Sequence, residues 1–239
     1  GDARVRLEFS ACETHGSIVA RGVKTGAMRH EHWPLFTLRV TTPRVELRYL
    51  DDDLAEALVS LAADIHDPAF VPFTIAWTDF PEPQLQQEAL RFYWQSRAGT
   101  RPESWRLQFA VIVDGAPIGM CDLAAEQFPT LRQFETGSWL ARDRQGSGIG
   151  TEIRRAALHL GFVGLDADYA ATGAWHDNGP SLGVTRKLGY REEGRRRALR
   201  RNAPDELIGF RMDRAHHDSI RRDDIELHGI AAAREFLGL

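Results

Sequence analysis

Apolar side chains recur along this chain with two different spacings, and the two divide it into strands and helices. Between 38 and 50, Val45, Leu47 and Tyr49 alternate with Glu46 and Arg48, which predicts one strand with a buried face. Asp51-Asp52-Asp53 then caps a helix to about His66, with Leu54, Leu58 and Leu61 as its stripe. A second helix over 84–97 carries Leu85, Ala89, Phe92 and Tyr93 at helical spacing. Residues 106–113 and 116–123 read as strands joined by Asp114-Gly115, a tight hairpin signal. A loop over 126–132 precedes a strand at 134–140. Ile153, Ala156, Ala157, Leu160 and Val163 mark one face of the next helix. A strand at 168–175, a short helix at 180–188 and a hairpin of 191–200 with 206–212 follow, its turn placed at Asn202 to Asp205. Strands alternating with helices in this way indicate an α/β (α+β) fold with a mixed central sheet of about seven strands.

Between the first two helices, 67–83 holds Pro68, Pro72, Pro81 and Pro83 together with Phe70, Phe73, Trp77 and Phe80. Proline at this density denies regular helix. So many aromatics in a loop need something to cover, either the core or a ligand.

Composition narrows the picture modestly. The 239 residues, 43% hydrophobic, suffice for one sizeable core. A net charge of −4 gives no electrostatic footprint for nucleic acid. Cys12 and Cys121 form neither a metal-spaced pair nor a disulfide framework, and no metal is expected. No run of 18 apolar residues predicts a membrane span, so a soluble cytoplasmic protein is expected. Residues 1–27, rich in Gly, Ser, Thr and charge, read as a non-native or disordered extension ahead of Met28. The domain is expected to span 28–213, with 214–239 a tail that is helical near its end.

The candidate chemistry centres on Arg144-Gln145-Gly146-Ser147-Gly148-Ile149-Gly150-Thr151, at the turn from strand 134–140 into a helix. Glycine there lets backbone N–H groups crowd a phosphate, and a helix start adds unpaired N–H groups and a positive dipole end. A P-loop needs a Lys before Thr151, and Gly150 stands there. A dinucleotide fold needs a strand buried on both faces, and Phe134-Glu135-Thr136-Gly137-Ser138-Trp139-Leu140 is too polar for one.

Gln145-Gly146-Ser147-Gly148-Ile149-Gly150 resembles the acyl-CoA signature of the GCN5-related N-acetyltransferase (GNAT) family, Gln/Arg-x-x-Gly-x-Gly/Ala. Asn178, followed by Lys187-Leu188-Gly189-Tyr190, matches the family's second signature. The strand from Glu135 to Leu140 is similar to that of the subgroup acetylating ribosomal-protein N-termini. Trp33-Pro34-Leu35-Phe36, Val71-Pro72-Phe73 and Trp77 resemble an actinobacterial subgroup for which succinyl-CoA has been proposed as donor.

The resemblance implies an acyl-CoA N-acyltransferase that uses acetyl-CoA or succinyl-CoA and a primary amine: a protein N-terminus, a lysine or a small amine. It implies two parallel strands, 134–140 and 168–175, splayed around pantetheine, with backbone groups of Trp139, Leu140 and Ala141 pairing to it. The N–H groups of Gln145 to Thr151 would hold the pyrophosphate, and Arg142 or Arg144 would either add contacts or stand as solvated charge. The family's usual thiolate-protonating Tyr falls at Thr185 here, so the role passes to Ser181, the residue the ribosomal-protein subgroup uses. Tyr190 is expected to pack under the sheet. For the amine the candidates are Glu135 first, then Glu126 and His176, with Phe73 to Trp77 as an acceptor wall. The arginine run 195–201 is either a solvated face or an attractant for an acidic group. A homodimer is left open. The competing class is a non-catalytic acyl-CoA sensor, supported by the absence of Tyr at 185.

Overall fold

The computed structural model describes residues 30–239, so the extension expected over 1–27 lies outside the described residues. A single mixed sheet of nine strands runs in the order β7-β8-β6-β5-β4-β3-β2-β1-β9. β1 (Arg39–Thr41) and β2 (Glu46–Tyr49) form a hairpin where one strand was expected. Pro43 cannot donate to a ladder, and the Thr42 hydroxyl accepts from the N–H groups of Arg44 (3.2 Å) and Val45 (3.1 Å). A turn is therefore built into the middle of the segment. α1 (Asp52–Leu61) starts at Asp51, whose carboxylate accepts from Leu54 N–H at 2.8 Å. α2 (Gln84–Gly99) buries Leu85, Ala89 and Tyr93, while Phe92 turns outward, 41% exposed, under the guanidinium of Arg106.

β3 (Ser104–Val113) and β4 (Ala116–Glu126) meet at Asp114 and Gly115, both with positive φ, as a tight hairpin requires. The short α3 (Phe128–Leu131) leads into β5 (Gln133–Leu140). α4 (Ile149–His159) buries Ile153, Ala156 and Ala157 against the sheet. Past it the chain winds one wider turn, with Leu165 N–H donating to Leu160 C=O at 2.9 Å. That extra residue shifts the register, so Phe162 is buried and Val163, expected on the stripe, is 41% exposed. β6 (Tyr169–Trp175) and α5 (Gly179–Lys187) follow. β7 (Arg191–Arg200) and β8 (Ala203–Asp213) close through a two-residue turn at Arg201-Asn202, earlier than expected, both residues being left-handed.

Residues 214–239, expected as a tail, are built into the domain. They form α6 (Arg214–Ile220), β9 (Glu226–His228) and α7 (Ile230–Phe236). β9 pairs with β1, and Ala233 and Leu237 are fully buried in the core. With the β1–β2 division, β9 explains nine strands in place of seven. One core lies between the sheet and α4; a second, with Ala110, Ile112, Met120 and Trp139 from the sheet, lies under α1 and α2.

Candidate active site

β5 and β6 are the one parallel pair in the sheet, and they pair only from Gln133–Tyr169 to Glu135–Ala171. Beyond that point β5 stays with β4 and β6 stays with β8, and a wedge opens between them. The Thr172 hydroxyl donates to Thr136 C=O across its apex at 3.2 Å. The splay expected from sequence is present.

Strand alternation decides which backbone groups face the wedge. Ala141 N–H donates to Ile118 C=O at 2.9 Å, so Ala141, and Trp139 two residues earlier, turn their backbone toward β4. Of the three residues expected along pantetheine, only Leu140 faces the gap. Ser138, missed in the sequence, shares its side. The Leu140 carbonyl already accepts from the Gln145 amide at 2.9 Å, and that amide also donates to Ile65 C=O at 2.8 Å. Gln145 thus ties the glycine loop, through its side chain, to the segment that follows α1.

The loop itself fits a pyrophosphate. Gly146 and Gly148 have φ of +75° and +81°, and a Cβ on Gly146 would meet nothing within 4 Å. The first helical bonds are those of Thr151 and Glu152 to Gly148 C=O. The N–H groups of Gly146, Ser147, Gly148, Ile149 and Gly150 therefore have no acceptor among the described residues, and they lie at the positive end of α4. Arg44, given no role by the sequence reading, reaches this loop from the β1–β2 turn and donates to Ser147 C=O at 3.0 Å. Arg142 pairs with Asp64 (3.1 Å) and Arg144 with Asp143 (3.4 Å), all four well exposed.

Asn178 is buried at the end of β6. It caps α5 by accepting from Ser181 N–H (3.2 Å) and donates to Pro72 C=O (3.3 Å). Ser181 is half-buried, and its hydroxyl makes no hydrogen bond among the described residues. Thr185 is fully buried, its hydroxyl without a partner among the described residues, and Tyr190 is buried beside Arg154. Neither side chain is open to a thiolate.

On the opposite face, the aromatic loop stands over the end of β5. Phe73 lies 5.3 Å from Trp77, and Trp77 6.3 Å from Trp139, as tilted rings, with His66 edge-on to Phe73 at 5.7 Å. Phe73 and Trp77 are thus joined by Trp139, whose side chain forms part of this wall. Glu135, exposed at the last paired position before the wedge opens, lies on the same face of the sheet as Trp139. Glu126 is farther out along β4, at its end. His176 is drawn elsewhere, its Nδ1 3.2 Å from Asp205 on the β7–β8 hairpin.

The arginine run divides its work. Arg195 pairs with Glu192 and Glu206 on the hairpin surface. Arg200 donates to Val71 C=O (2.9 and 2.7 Å), Asp177 (2.8 Å) and Asp205 (2.9 Å), and stacks on Phe70 and Trp175. Arg201 donates to Pro68 C=O (2.7 Å) and clamps Asp79 (2.6 and 2.7 Å). Trp175 adds a bond from its indole N–H to Phe73 C=O at 2.9 Å. The end of the run latches the aromatic loop in place, a role the sequence pattern did not reveal. Among the described residues no His/Cys/Asp/Glu cluster suits a metal, and no helix is long and apolar enough to cross a membrane.

Comparison with known proteins agrees with this geometry. A Bacillus subtilis (strain 168) protein provisionally named as the ribosomal N-acetyltransferase YdaF is 28% identical over 124 residues. The match takes in 48% of this chain and spans 62% of that relative's length. The solved structure of Mycobacterium smegmatis RimJ in complex with CoA-disulfide superposes with a TM-score of 0.61 at 20% identity, over 84% of this chain and 93% of that one. RimL, a ribosomal L7/L12 α-N-protein acetyltransferase bound to coenzyme A, gives 0.59 at 16% identity, over 72% and 95%. The acetyltransferase (GNAT) domain family matches residues 44–191, from the β1–β2 turn through both signatures to the start of β7, and the chain belongs to that family of N-acetyltransferases.

Proposed function

We propose that the protein moves an acetyl group from acetyl-CoA to a primary amine, with the α-amine of a ribosomal protein as the favoured acceptor. The observation that carries this reading is the wedge between β5 and β6, ending at a glycine turn with five N–H groups that have no acceptor among the described residues. The ribosomal preference draws on the names of the relatives. Acetyl is favoured over succinyl because Arg200 and Arg201, the basic groups nearest the acceptor loop, are committed to carboxylates and carbonyls.

The thioester supplies an activated carbonyl carbon and a thiolate leaving group. Gly146 to Gly150, with Arg44 alongside, hold the pyrophosphate, and Ser138 and Leu140 offer backbone groups to pantetheine. This fixes the thioester beside the acceptor wall, and proximity supplies much of the acceleration. Glu135 receives, through water, the proton that turns the acceptor's ammonium into a nucleophilic amine. The nitrogen attacks the carbonyl, the C–N bond forms and the amine's second proton is released. A backbone N–H on the β5 edge steadies the oxyanion. When the C–S bond breaks, the Ser181 hydroxyl gives its proton to the thiolate and regains one from solvent. The net products are the amide, CoA thiol and one proton.

Calorimetric titration with acetyl-CoA, succinyl-CoA and CoA tests the first half, and failure of all three to bind ends the reading. Turnover with a free N-terminal serine hexapeptide, against an N-blocked peptide with one internal lysine, tests the acceptor. In Ser181→Ala, turnover falling at least tenfold with unchanged CoA affinity distinguishes an enzyme from the acyl-CoA sensor that buried Thr185 otherwise favours.

A further inference from the structure

One carboxylate beside the wedge has no part in the chemistry above. On the α1–α2 face, strand register sets Arg106, Ala124 and Glu135 in one row. Gln108, Asp122 and Gly137 form the next row, and Ala110, Met120 and Trp139 the third. Asp122 is buried, 6% exposed. Arg106 Nη1 holds its Oδ2, while Oδ1 has no hydrogen-bond donor among the described residues. That free oxygen lies directly over Gly137, where a Cβ would stand 2.5 Å from it. The backbone of Gly137 does not have a positive φ, so glycine is not needed there for conformation. What it provides is room above the strand for Oδ1.

Two neighbours strengthen the case. Gln108, directly opposite Asp122 and 4% exposed, has a side-chain nitrogen with no partner among the described residues. Tyr93 reaches in from α2, and its phenol pKa is raised by burial and then by the negative charge of Asp122. Oδ1 is not sealed from solvent, and the buried Gln108 nitrogen, without a partner among the described residues, is costly. Both are the groups an ammonium and the carbonyl next to it would satisfy. Gly137 is two residues past Glu135, where β5 parts from β6. Asp122 and Glu135 are diagonal neighbours on one face, about 7 Å apart.

We propose that Asp122 Oδ1 binds the ammonium of the acceptor, seating the amine over Gly137 before Glu135 removes its proton. The inference rests on the reading of a primary-amine acceptor. It separates a fixed, Arg106-oriented carboxylate that recognises the charge from an exposed one that moves the proton.

The test compares the free N-terminal serine hexapeptide with its analogue in which hydrogen replaces the terminal amine, both binding to the protein saturated with CoA. The wild type is expected to favour the charged peptide at least tenfold. Asp122→Asn should bring that ratio to about one with CoA affinity unchanged, whereas Glu135→Gln should keep the ratio and lose turnover. A ratio that survives in Asp122→Asn and collapses in Glu135→Gln overturns the proposal. Arg106→Gln, which removes the partner that orients Asp122, should lower the ratio part of the way; loss of the ratio there with none in Asp122→Asn overturns the proposal. Should Asp122→Asn fail to fold, the wild-type Asp122 carboxyl resonance serves: it must shift with the charged peptide and not with the analogue, and its failure to shift refutes the idea. If the wild type acetylates no primary amine, the acceptor reading itself falls and takes this inference with it. Turnover with an unaltered ratio in Asp122→Asn removes this inference alone.

Discussion

Acid should loosen the C-terminal part of this domain through His217. The imidazole is 3% exposed beneath α6, stacked on Phe162 (centroids 4.6 Å apart, planes 23°) and 6.4 Å from His159. Burial lowers its pKa from 6.5 to about 4; Asp218 opposes this, and His159 and Arg221 add to it. The unfolded chain takes up a proton near pH 6.5, and the folded one does not until near pH 4. The stability contributed by the neutral ring is therefore complete above pH 6.5 and lost as pH falls through about 4. At about 1.4 kcal/mol for each pH unit, the whole interval is worth at most about 3 kcal/mol, of which about 2 is gone by pH 5. The assay is urea unfolding between pH 7.5 and pH 5 for the wild type and His217→Phe. Phenylalanine keeps the stack on Phe162 and removes the titration, and the His217 Nδ1 it deletes makes no hydrogen bond among the described residues, its nearest charge being Asp218 at 3.5 Å. Glu46, Asp79, Asp205 and Asp224, held below the usual carboxylate range chiefly by arginine partners, lose their contributions at lower pH in both proteins and cancel in the difference. The wild type should lose about 2 kcal/mol more than the variant over this range. Parallel pH profiles for the two would refute the reasoning.

Further outcomes follow from the same geometry. Gly148→Ala places a Cβ at φ +81° and 3.4 Å from the Arg44 guanidinium, so the Kd for CoA should rise severalfold in calorimetry while the peptide KM holds. Arg200→Met removes the bonds that hold the loop's Val71 carbonyl and Asp177 to the hairpin; hydrogen exchange over 68–80 should quicken and the peptide KM rise, with CoA affinity unchanged. Gly161→Ala would set a Cβ 2.1 Å from the Phe134 ring, and denaturant unfolding should record a loss of about 1–3 kcal/mol or more from overpacking.

Much of this protein was legible in one dimension because the decisive signals are local. The period of Leu85, Ala89 and Tyr93, the left-handed pair Asp114-Gly115 and the Asp51 cap each act within a few residues of chain. The glycine turn is local too: positive φ at Gly146 and Gly148 and a helix start at Ile149 are enough to expose a row of N–H groups. Asn178 and Ser181 could be singled out by their spacing in the family's second signature, and the cap that joins them is local to the start of one helix.

What the sequence left undetermined depends on contacts between distant segments. The wider turn at Leu160 turns Val163 out, because Phe162 and Gly164 must meet the sheet and α7. The segment after Asp213 has too short a pattern to announce a strand, and only pairing with β1 makes β9 one. Arg200 and Arg201 look like surface charge until a loop more than 120 residues earlier brings carbonyls and Asp79 to them. Asp122 and Gly137 are unremarkable letters on separate strands, joined only by antiparallel register. Local spacing carries backbone preference and amphipathic faces; which side chains share a site is settled by long-range pairing and burial, whose energies depend on neighbours that sequence order does not place side by side.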